Sequence, residues 1–456
     1  MFSHPKLTLR GKLSLLYSLA LIFVCERALA LSFAGYVTYP TGSWPEAVAI
    51  ADLNGDGRKD VVLSTSFYSN TNDNSILVFY QNQAGTLNPP IRYAAGAAAN
   101  SVAIADFNGD GLKDIAVGKQ GAGIRVFWQD AQGSFSNYTD YPTGNAYWIC
   151  TGDFNNDGLS DIAGIGWSSS QVDVFTQGIG GLTFSASYPA SYSGYNDIKA
   201  GDVNGDGLSD IVVMNGQTYA VPNVSVLLQT NGGFSPAIIC DLGGTELTAG
   251  VGIGDINADG RNDIVVCYGG NRPASKLAMF NQTPAGGFTK SGPLDSYDIP
   301  QGIAVADLDL DGRSDVVTLH GGWQQAGVYM QNSSGSLNSE LLFPLPYASS
   351  YNPHGLAVGD VNGDGMPDIV LADYNHGLVI LYNTSPPPPF RISRLARKPN
   401  GSVVITGPYP GPRGYCYVQG SDNLKDWSTL GMMTDPTWTD TGSAGAPRRF
   451  YRLMRQ

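Results

Sequence analysis

Seven copies of one nine-residue string, D-x-[ND]-x-D-G-x-x-D, hold most of the chemistry in this 456-residue chain. They run Asp52–Asp60, Asp106–Asp114, Asp153–Asp161, Asp202–Asp210, Asp255–Asp263, Asp307–Asp315 and Asp360–Asp368. Each places side-chain oxygens at positions one, three, five and nine. The donors are Asp52, Asn54, Asp56 and Asp60 in the first string, and Asp106, Asn108, Asp110 and Asp114 in the second. Asp153, Asn155, Asp157 and Asp161 follow in the third, then Asp202, Asn204, Asp206 and Asp210 in the fourth. The last three supply Asp255, Asn257, Asp259 and Asp263; Asp307, Asp309, Asp311 and Asp315; and Asp360, Asn362, Asp364 and Asp368. Glycine at position six permits a sharp bend. The bend turns inward the main-chain carbonyl of position seven, held by Arg58, Leu112, Leu159, Leu208, Arg261, Arg313 and Met366. Hard oxygens around one point suit Ca²⁺, whereas Mg²⁺ prefers a stricter octahedron with several waters. Asp/Asn/Gly turns are common in hairpins, but seven copies with every oxygen position filled favour a metal. The strings carry 22 of the 34 acidic residues in residues 31–389, a segment of net charge −22. About seven Ca²⁺ per chain would reduce that to −8 and relieve repulsion between crowded carboxylates.

A second candidate chemistry is recognition by aromatic rings. Trp44, Tyr68, Tyr147, Trp148, Trp167, Tyr195, Tyr219, Trp323, Tyr351 and Tyr374 fall between the strand-like runs, away from the nine-residue strings. Rings beside Asn, Gln and Asp bind sugar faces or protein partners; packing between sheets is their structural alternative. Catalytic signals are sparse. His320, His354 and His376 form no metal-ligand pair, and there is no G-x-S-x-G or H-E-x-x-H. No free pair of carboxylates for glycoside hydrolysis stands out. For a Ca²⁺-dependent polysaccharide lyase, His354 is the base to test. The reading is a binding module rather than an enzyme, with a lectin and a lyase as the first and second alternatives.

The elements that must position these residues are short strands. The strings start 54, 47, 49, 53, 52 and 53 residues apart. An apolar run precedes each, as in Val48-Ala49-Ile50-Ala51, and another follows, as in Ile115-Ala116-Val117. A third run, a Gly-rich turn and a weaker fourth segment complete the unit. Four strands in about fifty residues is the period of a β-propeller blade. The fold class is therefore all-β: a seven-bladed β-propeller over residues 31–385, with each metal string joining the first and second strands of a blade. After Asp368 only two strand-like runs remain, Ile369–Ala372 and Leu378–Tyr382, so the last blade lacks one strand. Tyr36–Thr41 precedes the first blade and shares its Tyr-Pro-Thr-Gly text with Tyr141–Gly144. The N-terminal strand is thus expected to pair with Leu378–Tyr382, closing the ring and removing two exposed edges.

The remaining segments set location. Residues 1–30 read as a secretory signal: Lys6, Arg10 and Lys12, the apolar run Leu13–Val24, then Ala28-Leu29-Ala30. The run is too short to span a bilayer, and Cys25 lacks the preceding small residue of a lipobox. The expectation is a secreted or surface-associated chain without a membrane span, acting as a monomer on an extracellular protein or glycan. The acidic balance argues against nucleic acid, because phosphate neutralisation needs Lys and Arg. Cys150, Cys240, Cys267 and Cys416 have no C-x-x-C spacing; a Cys240–Cys267 bridge and buried thiols both remain open. Pro386–Pro389 is a stiff linker. Residues 390–456, of net charge +6, alternate apolar and polar residues and read as a small C-terminal β-sandwich.

The strings and their flanking strands resemble FG-GAP (VCBS) repeats, as in the propeller of integrin α subunits and in many secreted bacterial proteins. The resemblance covers about residues 35–384 and implies a seven-bladed propeller with Ca²⁺ in the hairpin between the first two strands. It implies metal ligation by Asp52, Asn54, Asp56 and Asp60 and by their counterparts in the other strings. Unlike integrins, which fill only some loops, this chain fills all seven, and no leg domains follow. Lectins on similar propellers are further relatives. Tyr417–Ser421, Leu424, Trp427 and Arg448–Leu453 look like a C-terminal β-sandwich module of secreted proteins from environmental bacteria.

Overall fold

Seven four-stranded antiparallel sheets follow from the seven units in a computed structural model of the chain. It describes residues 31–66, 73–167, 169–178, 181–190, 195–215, 223–243, 248–348 and 351–386. Beyond these it describes 394–398, 400, 402–406, 416–421, 425, 428–433, 437–441 and 450–455. The expected secretory signal and most of the proline linker lie outside the described residues. All regular elements among the described residues are strands, so the all-β expectation holds.

The first sheet shows the pattern. Trp44–Ala51 leads into a nine-residue string, Asp60–Ser66 leaves it, and Ser75–Phe79 and Ile91–Ala94 complete the sheet. The second and third strands are buried throughout, while the fourth is largely exposed. Near-continuous apolar runs such as Val61-Val62-Leu63 form strands because both faces meet neighbouring sheets. Seven apolar clusters fill those interfaces, each joining two adjoining sheets. One unites Val61, Leu63, Leu77 and Phe79 of the first sheet with Val370, Leu378 and Ile380 of the last. The leading strand of each sheet neighbours the leading strand of the next, and Trp44–Ala51 neighbours Leu356–Gly359 of the last.

The last sheet is composite. Leu356–Gly359, Asp368–Asp373 and Gly377–Leu381 are joined by Val37–Tyr39. Val37 pairs with Ile380, Thr38 with Val379 and Tyr39 with Leu378. The main chain continues the contact, with Ala34 N–H donating to Tyr382 O and Thr384 N–H to Ser32 O. The pairing is three residues long, shorter than the six-residue segment expected.

The C-terminal region forms two three-stranded sheets. One holds Arg394–Arg397, Val403–Thr406 and Thr437–Asp440, the other Ser428–Met433, Cys416–Ser421 and Phe450–Arg455. Ile405, Val418 and Leu453 form their common core. Cys150, Cys240 and Cys267 are free buried thiols, so a Cys240–Cys267 bridge is not made. All three act as small apolar residues within the sheets.

Candidate metal centres

Each nine-residue string folds into the same cage, built from the chain's own N–H groups. The position-one carboxylate accepts the N–H of position six at 2.8–2.9 Å in all seven loops. The position-three oxygen accepts the N–H of position five at 2.8–3.3 Å. The position-five carboxylate accepts the N–H of position seven at 2.8–3.0 Å. Short polar side chains thus wind the backbone around themselves. The position-six glycines make this possible, all having φ between 81° and 89°.

Position four is a second left-handed residue, hidden in the motif because its type varies. Glycine fills it in four loops; Asn156, Ala258 and Leu310 adopt φ of 57–61° in the others. An alanine or leucine held in that region is strained, a sign that the loop geometry outweighs local preference. Position two also carries a rule: Leu53, Phe107, Phe154, Val203, Ile256, Leu308 and Val361 are all buried. These side chains anchor the start of each loop in the core.

Position nine does two jobs. Its side chain opens the second strand and is buried in every sheet. One carboxylate oxygen accepts the N–H of an amide residue within two positions of the end of the third strand, at 2.7–2.9 Å in all seven sheets. In six of them the other oxygen accepts the N–H of position two at 2.8–3.0 Å. Burial drives these carboxyls up, with the other carboxylates of the loop adding to the rise. Asp60, Asp114, Asp161 and Asp210 reach about 6, and Asp263, Asp315 and Asp368 about 7. A buried carboxylate among like charges calls for a cation.

The donor set fits a hard cation. In the sixth loop, where position three is also acidic, carboxylate oxygens of Asp307, Asp309 and Asp315 lie within 4.8 Å of one another. Position seven differs among loops. Leu112, Leu159, Leu208 and Met366 leave only main-chain groups there. Arg58, Arg261 and Arg313 fold back to pair with Asp56, Asp259 and Asp311. In four other loops the position-three Asn side chain donates to position five instead, as Asn108 does to Asp110 at 3.1 Å.

The aromatic candidates divide. Trp167 and Trp323 are 47% and 42% exposed. Trp167 stacks on Trp148 at 5.7 Å, with half-buried Tyr147 5.4 Å away. Trp44 is half-buried and stacks on Tyr374 at 5.3 Å. Trp148, Tyr351 and His354 do not belong to an exposed face: all three are buried. Trp148 and His354 are held by the segment that enters the last sheet. Asn352 donates to Glu46 at 3.2 Å and to Asn100 O at 3.0 Å, and accepts from Trp148 Nε1 at 3.4 Å. His354 Nε2 lies 3.0 Å from Asp197, which also meets Lys199 at 3.2 Å. Burial, reinforced by Lys199, lowers the His354 pKa. The side chain of Tyr195, and all of Tyr68 and Tyr219, lie outside the described residues. Hydropathy pattern could not separate these cases, because a ring packed between sheets and a ring on a loop look alike in sequence.

Comparison with known proteins identifies the repeat. A family model described as an FG-GAP-like repeat matches residues 66–117, 106–164, 153–213, 202–266, 255–318 and 307–371. A model of the FG-GAP repeat matches residues 44–79. No curated protein matches the chain. The matched stretches overlap through successive aspartate loops and together cover more than half of the sequence, so the chain belongs to the FG-GAP repeat family.

Proposed function

We propose that this protein is an exported, calcium-loaded, seven-bladed β-propeller, closed by its N-terminal strand and followed by a small β-sandwich, that serves as an extracellular binding or adhesion module. The observation that carries the reading is the sevenfold cage: four oxygen-bearing positions and a buried position-nine carboxylate recur in every sheet. FG-GAP repeats often bind calcium, and a Ca²⁺ ion would neutralise carboxylates that burial and mutual repulsion otherwise disfavour. Positions one, three, five and nine would hold the ion, with the position-seven carbonyl as the fifth protein ligand. Closure is supported by the Val37–Tyr39 pairing and by the apolar cluster shared between the first and last sheets. No described helix is long and apolar enough to cross a membrane.

The function proposed is binding, not catalysis. The lyase candidate His354 is buried beside Asp197 and Lys199 rather than open to a substrate. Trp167 and Trp323 are the exposed rings through which a protein or glycan would be recognised; a lectin is the alternative within this reading. Native mass spectrometry should find close to seven Ca²⁺ per chain, and two or fewer would overturn the reading of the loops. Arrays of glycans and extracellular proteins, probed with and without Ca²⁺, should show retention that Trp167→Ala or Trp323→Ala reduces. Ultraviolet-absorbing unsaturated products from any polysaccharide would instead establish a lyase.

A further inference from the structure

Within two residues of the end of the third strand, each sheet carries an amide: Gln81, Gln129, Gln177, Gln229, Gln282, Gln331 and Asn383. All seven are buried. Each main-chain N–H is held by the position-nine carboxylate of its own sheet, while the side chain of several reaches the metal loop of the preceding sheet. Gln129 Nε2 donates to Leu53 O at 2.7 Å, Gln331 Nε2 to Asp255 O at 3.1 Å and Asn383 Nδ2 to Leu308 O at 2.8 Å. Gln81 Nε2 reaches Asp360 O at 3.5 Å, carrying the relation from the first sheet to the last. These acceptors are positions one and two of the neighbouring loops. Leu53 is gripped from both sides, its N–H by Asp60 and its carbonyl by Gln129. The turn after the third strand adds a second brace. Gly335 lies so close to the Asn257 carbonyl that no side chain fits, and Gly85 meets Asn362 in the same way.

We propose that the four buried amides that make this bond, Gln81, Gln129, Gln331 and Asn383, are positioning residues that couple calcium loops, so that filling the loop of their own sheet strengthens ion binding in the loop of the preceding sheet. The proposal rests on the calcium reading above. An ion drawn to Asp114 fixes the carboxylate that holds Gln129 N–H. Fixing Gln129 fixes the donor that holds Leu53 O, and Leu53 sits between the ligands Asp52 and Asn54. A loop whose backbone is already held loses less freedom when its own ion binds, which is a positive coupling between sites. Because each tie points to the preceding sheet, the coupling is strongest between adjacent loops and fades across the ring.

The test uses the full chain and calcium alone. Asp110→Ala empties the second loop; Gln129→Met keeps side-chain length but removes the donor, together with the oxygen that accepts Lys113 N–H at 3.2 Å, an oxygen that Gln129→Glu keeps. Hydrogen exchange at graded free calcium reads the midpoint of protection separately in residues 52–60, 106–114 and 255–263. Asp110→Ala should raise the midpoint of the first loop by about threefold to tenfold and leave the distant fifth loop unchanged. Gln129→Met should raise the first loop's midpoint similarly while the second loop still fills, and the double variant should be no worse than either. Gln129→Glu serves if Gln129→Met fails to reach its wild-type fold at saturating calcium. A first loop indifferent to Asp110→Ala, an equal shift in the fifth loop, or additive shifts in the double variant would each overturn the coupling. If no loop of the wild-type chain gains protection with calcium, the calcium reading falls and the coupling with it. Protected loops with independent midpoints remove the coupling alone.

Discussion

At the scale of single residues, positions five and nine of a loop are predicted to fail differently. Asp206 is exposed and bonds only within its own loop, to Leu208 N–H and Asn204. Asp210 is buried and holds Val203 and Gln229. Asp206→Ala should lose about one Ca²⁺ and keep its melting temperature in chelator. Asp210→Ala should lose the ion and also destabilise the chelated protein, by about 1–3 kcal/mol for each buried N–H left unpartnered. Equal melting temperatures for the two variants in chelator would contradict the second role of position nine. The same carboxylates set a pH dependence. Without metal their folded pKa values, about 6 to 7, lie above the ordinary 3.8. Their contribution to metal-free stability is therefore fully present below pH 3.8 and is lost as pH rises through 6 to 7. Calcium needs the ionised form, so it opposes this loss. The melting-temperature gap between calcium and chelator should narrow as pH falls from 8 to 5.5; a gap independent of pH would refute this account.

At the scale of elements, the joint between Val37–Tyr39 and Gly377–Leu381 closes a strand that is buried along its whole length. Deleting residues 31–41 should expose that edge, lower the melting temperature of the whole repeat region and promote aggregation, as thermal unfolding with light scattering would register. Wild-type stability after the deletion would mean that the strand is dispensable. The position-six turn offers a cleaner test. Gly207 has φ +84° with open space where a Cβ would stand. Gly207→Ala should therefore cost about 1–2 kcal/mol through conformation alone, measured by denaturant unfolding in chelator.

At the scale of the whole molecule, ion binding to the folded state alone should stabilise it by mass action, about 2.7 kcal/mol per site at a hundredfold excess over Kd. Several such sites acting together predict a large fall in melting temperature on chelation, seen by scanning calorimetry. A shift of a degree or two would place the ions outside the stability of the fold. Removing residues 386–456 should leave the repeat region folded and calcium-bound, because the C-terminal sheets have their own core of Ile405, Val418 and Leu453.

The sequence alone determined the repeat, the four-strand unit, the oxygen-bearing positions of the loops and the partner of the N-terminal strand. Each is local text repeated or matched at a fixed spacing, so period and residue type were sufficient. Only the tertiary structure decided the rest. The left-handed position four, filled by Gly55 or by Leu310, was invisible because the loop imposes the conformation whatever residue stands there. The burial of Trp148, Tyr351 and His354 against the exposure of Trp167 was decided by the Asn352 segment, which contacts Glu46, Asn100 and Trp148 across about 200 to 300 residues of chain. The reach of Gln129 to Leu53 depends on two sheets lying side by side. Contacts of this kind have no spacing in the sequence, because packing between sheets, not pairing along a strand, brings the residues together.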